Sequence, residues 1–146
     1  MAITQAIANA FKKQLLEGDQ NFSNSGGDVF KLALYTSSAT LNSATTSFTT
    51  TNEVGNTGTY ASGGDPLAGQ NTSIASGVAI VDFADLSFTG VTLTARGAMI
   101  YNTSSAVTNA AVAVLDFGAD KTATSGTFTV QFPAFTTAAA ILRISG

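Results

Sequence analysis

The sequence predicts a mainly β protein, an antiparallel β-sandwich of jelly-roll-like type behind one N-terminal α-helix. Three observations predict it. Several short segments rich in Val, Ile, Leu, Phe and Thr alternate apolar and polar residues with a period of two. Gly, Asn, Ser and Asp punctuate them at short intervals, as turns require. A helical period is confined to the first residues. The chain has 146 residues, a length that suggests one domain. We divide it into an amphipathic helix over 1–18 and a single sandwich over 19–146.

The helix is expected over Ile3–Glu17. Ile3, Ile7, Phe11 and Leu15 recur every fourth residue, and Ala6, Ala10 and Leu16 widen the stripe. Thr4 suits an N-cap and Gly18 the first position past the C-terminus, with Lys12 and Lys13 toward the negative end of the dipole. The stripe has to be buried, either on the sandwich or on another subunit. After a loop rich in Asn, Ser and Gly, Val29–Thr36 reads as a strand. Its Phe30, Leu32 and Leu34 share one face, and Lys31 on the other predicts a partly wet side.

Residues Ser37–Gly77 are dominated by Thr, Ser, Asn and Gly. A loop this long inside a compact domain is usually functional. We expect an extended excursion with short strands at Thr57–Ala61 and Gln70–Ser76, serving as a contact surface. Further strands are expected at Gly77–Phe83, Leu86–Thr89, Val91–Tyr101, Ala111–Phe117, Gly126–Phe132 and Ala138–Ile144. Thr103–Asn109 and Gly118–Ser125 read as hairpin loops. Gly97 in mid-strand marks a bulge or a close approach of backbone. The Asp-Phe pairs at Asp82-Phe83 and Asp116-Phe117 suggest either a weak internal repeat or two similar hairpins.

Composition narrows the function. Asp, Glu, Lys and Arg make up 10% of residues, against about 25% in ordinary soluble domains. A lone monomer usually carries more charge to remain dispersed. A neutral surface of Thr, Ser and Ala therefore points to a protein packed against copies of itself or a partner. The net charge of −3 and the scattered cations argue against nucleic acid. The N-terminus lacks the basic leader and unbroken apolar run of a secretory signal, and no segment reaches transmembrane length. Synthesis in the cytosol and no membrane association are expected.

Catalytic chemistry finds little to work with. The chain has no His and no Cys, so Ser-His and Cys-His pairs are excluded. It has no phosphate-loop or dinucleotide fingerprint. Asp82 with Asp85, and Asp116 with Asp120, could pair for acid–base work or hold a hard cation; capping of turns is the simpler role. Arg96 could pair with one of these aspartates or meet an acidic partner. With no Trp, a sugar platform would rest on Tyr35, Tyr60 or Tyr101, while the ten Phe suit a core. No catalytic residue, cofactor, metal or small-molecule substrate is assigned.

Four groups of segments carry a resemblance. They are Met1–Ile7 with Phe11–Gly18; Phe30–Leu41; Thr50–Val54 with Gly58–Gly64; and Val81–Asp85, Ala95–Asn102 and Ala113–Lys121. Together they resemble a family of small virion proteins of tailed bacteriophages, mostly uncharacterised. The resemblance implies a β-rich structural module on the particle, located on the virion and assembled in the host cytoplasm. The expected role is a capsid decoration, or cement, protein that bridges and stabilises major capsid subunits, with itself (as a homotrimer) and the major capsid protein as partners. The alternative is a neck, tail or fibre component, an adaptor or receptor-contacting module. Candidate assembly contacts are Ile3, Ile7, Phe11, Leu15, Tyr60 and Arg96. A glycan-binding module using Tyr60 is a further class.

Overall fold

A computed structural model describes residues 2–146. The elements in chain order are β1 (Ala6–Ile7), α1 (Asn9–Glu17), β2 (Phe30–Tyr35), β3 (Asp65–Pro66), β4 (Asn71–Ala75), β5 (Val78–Asp82), β6 (Leu86–Asn102), β7 (Ala110–Val130) and β8 (Leu142–Ile144). They form two antiparallel sheets, one ordered β1-β7-β6-β2-β3 and one ordered β4-β5-β8. The fold is mainly β and sandwich-like with a single helix among the described residues, as the sequence predicts. The strand orders do not by themselves define a jelly roll.

The helix is shorter than its apolar period. It begins at Asn9, not Ile3, because the preceding residues enter the large sheet. Ile3 bridges Leu41, and Ala6 and Ile7 pair with Val114 and Ala113. Thr4 N–H donates to the Leu41 carbonyl at 2.8 Å and Ala8 N–H to the Val112 carbonyl at 2.9 Å. Sheet partners satisfy these backbone groups, and β-branched residues at 3, 4 and 7 suit the extended conformation. Tertiary pairing thus overrides a pattern that helix and strand share. Thr4 is not the N-cap; Ala8 takes that position with no side-chain bond, and Asn9 N–H is met by the Ser43 carbonyl at 2.8 Å. Gly18 ends the helix in the left-handed region at φ 79, as expected.

The long hairpin of β6 and β7 is the frame of the molecule. Four expected strands are two, because Gly118–Ser125 is not a loop: Thr122 and Ala123 pair with Thr94 and Leu93. The turn-forming residues absorb bulges instead. Gly90, Gly118 and Ser125 take φ of 61, 80 and 47 beside the register shifts. The Thr103–Asn109 turn falls where expected. Gly97 fits both readings made of it. The register shifts there, and a Cβ would stand 2.4 Å from the Leu115 carbonyl oxygen and 2.9 Å from Ile3.

On the edge of β6 away from β7, β2 pairs along Gly97–Asn102. Its second face is drier than Lys31 suggests: Lys31 is half-buried, but Ala33 and Tyr35 are wholly covered by the excursion. The excursion holds β3 and β4. Thr57–Tyr60 is a tight turn, not a strand.

A chain of phenylalanine rings joins helix and sheets. Phe22 stacks on Phe30 at 4.3 Å and meets Phe11 edge-on at 5.9 Å; Phe30 touches Phe83 at 5.8 Å, and Phe83 touches Phe132 at 6.1 Å. Such pairs add about 0.5–1.5 kcal/mol each beyond area burial. The two Asp-Phe pairs occupy different places. Phe83 is buried just past β5, whereas Phe117 sits half-buried at the β7 bulge, so the architecture does not repeat.

Candidate functional site

The helix and the small sheet enclose a cleft of about 480 Å³. Ile7, Phe11, Leu15 and Phe22 line one side; Val81, Leu142 and Ile144 lie on the other. The cleft brings together three of the candidate contacts. Phe11 is buried at its base, while Ile7 and Leu15 are half-buried at its wall. Only Lys12 and Arg143 bring charge to its lining.

Ile3 is elsewhere. It is buried under Gly97 in the core, because the chain there is strand, and it presents nothing to a partner. Tyr60 is likewise interior, at 1% exposure. Its ring packs edge-on to Phe88 at 4.9 Å. Its hydroxyl accepts from Leu34 N–H at 2.9 Å and donates to Glu53 Oε1 at 2.8 Å. Burial pushes this phenol well above its ordinary range. Neither a sugar platform nor an assembly contact can use a ring that solvent does not reach, so both expectations for Tyr60 are corrected. Tyr35 is raised for the same reason, and Tyr101 is pushed up to about 12 by burial.

Arg96 sits on the outer side of β6. Its Nε donates to Asp116 Oδ1 at 3.1 Å, the local pair that the sequence offered as one alternative. Asp116 also accepts from Gly118 N–H at 2.9 Å, and that bond, with the guanidinium next, holds its carboxyl below the usual range. Asp85 caps similarly, accepting from Phe132 N–H at 2.8 Å. One oxygen of Asp82 is buried without a partner. Of these four aspartates, Asp82 ends β5, Asp116 and Asp120 lie within β7, and only Asp85 sits between strands; no group of three acidic, His or Cys residues gathers among the described residues.

Three features escaped the sequence reading. Glu53 organises the excursion, accepting from Tyr60, from Ser62 Oγ at 2.8 Å and from Gly63 N–H at 2.6 Å. Asn102 is wholly buried. Its amide donates to Gln20 at 2.8 Å and Asp28 at 2.7 Å, and Gln20 donates to Gln14 at 2.7 Å. Third, the solvent face of β6 and β7 is a lattice of hydroxyls. Ser87, Thr89, Thr92 and Thr94 lie on one strand and Thr122, Thr124, Thr127 and Thr129 on the other, all exposed. Thr94 and Thr122 are hydrogen-bonded at 2.9 Å, Ser87 and Thr129 at 2.8 Å. Period-two threonine was the signal available for this face, but the strand boundaries hid its extent.

No known family model, no curated protein and no solved structure matches the chain. The surfaces described above therefore carry the functional argument.

Proposed function

We propose that this chain is a non-enzymatic structural protein of a tailed-phage particle, a decoration protein that sits on the head and bridges neighbouring shell subunits. The observation that carries the reading is the hydroxyl face of β6 and β7 over Ser87–Thr94 and Thr122–Thr129, a stretch without a charged residue. Burying a charge costs several kcal/mol unless it is paired. A face whose hydroxyls already bond across strands avoids that cost and can be covered by a neighbour. An interface of standard size buries about 1,600 Å² in total, and many such contacts brace a shell against the pressure of packaged DNA. The resemblance of Phe30–Leu41 and Ala95–Asn102 to phage virion proteins supports the same reading.

The test is removal and restoration. Particles made without this protein should lose DNA at a lower temperature than complete particles, and adding the purified chain should restore the difference. Particles of equal thermal and osmotic stability with and without it would refute a bracing role. Failed assembly or adsorption would move the protein to the neck, tail or fibre.

A further inference from the structure

The outer edge of β4 differs from the other edges of the two sheets among the described residues. Proteins guard exposed strand edges with charge, proline or bulges. The β3 edge carries Asp65-Pro66, the β8 edge carries Arg143, the β1 edge is only two residues long, and the β7 edge beyond β1 is broken by the bulges at Gly118 and Ser125. β4 runs Asn71–Ala75 in unbroken register with β5, has no charged residue and no proline, and all five residues are exposed.

Its geometry states which backbone groups are free. Ser76 and Gly77, with φ of 51 and 76, form a two-residue turn closed by the Ala75–Val78 pair. Alternation along an antiparallel ladder then turns the N–H and C=O of Thr72 and Ile74 outward. Thr72 N–H is met only by the neighbouring Asn71 side chain, at 3.0 Å. The side chains of Thr72 and Ile74 share a face with Ala79, Val81, Leu142 and Ile144, and all of these except Ile74 line the cleft. Ile74, Ala79 and Ile144 align across the three strands, with Ile74 72% and Ile144 59% exposed.

We propose that β4 receives an extended, uncharged arm of a neighbouring shell subunit, added as a fourth strand to the small sheet. Outward N–H and C=O groups call for a strand, and alternate apolar side chains of that strand would continue the Ile74–Ala79–Ile144 row along the cleft mouth. Size decides against a second copy of this chain. Five residues span about 17 Å, and a strip about 10 Å deep gives ~170 Å² per partner, against ~800 Å² per partner in a stable interface. A tethered arm does not need that area, because the other contacts of an assembled particle raise its effective concentration. The proposal rests on the decoration reading.

The experiment compares hydrogen exchange of the full chain free in solution and seated on purified particles. Exchange in 71–75 should slow at least tenfold on the particle. Ile74→Pro removes an outward N–H and no bond to β5; it should melt like the parent and bind particles at least tenfold more weakly, with Ile74→Val binding normally. Ile74→Lys, which adds the missing guard, should repeat the defect if the proline variant folds poorly. Equal exchange of 71–75 in both states, or normal binding by Ile74→Lys, would overturn the proposal. So would protection that appears in concentrated protein alone, since that would assign the edge to a second copy. Failure of the parent chain to bind particles at all would instead refute the decoration reading.

Discussion

Removing the Glu53 carboxylate should destabilise the protein far more than its place in a loop suggests. The carboxylate accepts hydrogen bonds from Tyr60, Ser62 and Gly63 at 2.8, 2.8 and 2.6 Å. Tyr60 is 1% exposed and also takes the Leu34 N–H of the central sheet. Hydrogen bonds to a charged group contribute about 1.5–3 kcal/mol each, and a buried donor left unmet costs about 1–3 kcal/mol. The Ser62 hydroxyl is exposed and can turn to water, so two bonds carry the effect. Glu53→Ala should therefore cost about 3–6 kcal/mol, a large part of the ~5–15 kcal/mol that holds a typical domain. Glu53→Gln keeps an acceptor and should cost about 1 kcal/mol, and Ser62→Ala less than about 0.5 kcal/mol. Urea unfolding followed by circular dichroism gives all three values. A Glu53→Ala cost below about 1 kcal/mol, or a Ser62→Ala cost equal to it, would refute the reasoning.

Other perturbations have worked expectations. Gly97→Ala forces a Cβ to within 2.4 Å of the Leu115 carbonyl; it should cost about 3 kcal/mol in the same unfolding assay, the upper end of overpacking. Phe22→Ala opens the ring chain between Phe11 and Phe30 and should cost about 3–5 kcal/mol. Arg96→Ala breaks a partly exposed pair and should change stability by less than about 1 kcal/mol. The tyrosines predict alkaline unfolding. All three have folded pKa values raised above 10.0 by burial, Tyr101 to about 12. A phenol of this kind keeps its proton in the folded chain while the unfolded chain loses it. Stability is thus full below pH 10 and falls as pH rises, by up to about 1.4 kcal/mol per pH unit for each tyrosine. Absorbance at about 295 nm should show phenolate appearing with unfolding, not before it.

How much of this was legible depended on whether one signal or two competed at a residue. Phe30–Tyr35 read correctly because alternation and flanking turn signals agreed, and Val78–Asp82 because turn signals and β-branched content agreed. Ile3–Ile7 failed because its spacing serves a helix stripe and a strand equally, and only the distant partners Leu41 and Val114 decide between them. Gly118–Ser125 failed because glycine and serine serve bulges as well as loops; pairing with Thr94 and Leu93 decided it. In the candidate site, the stripe Ile7, Phe11 and Leu15 was legible, and it does line the cleft. The opposing wall was not, since Leu142 and Ile144 reach it only through pairing with β5. Tyr60 looked available because its neighbours are glycines and threonines, but Glu53 draws it inward across the excursion. The unguarded β4 edge needed both the Ser76-Gly77 turn and the knowledge that nothing pairs beyond it.

The central claim is a role in building a shell, and the most direct measurement is stoichiometry. Quantitative mass spectrometry of purified particles gives the copy number of this chain relative to the major shell protein. The account predicts a ratio near one, or a simple fraction of it. A ratio of a few per cent would contradict decoration and place the protein at the neck, tail or fibre, and absence from the particle would contradict the virion reading altogether.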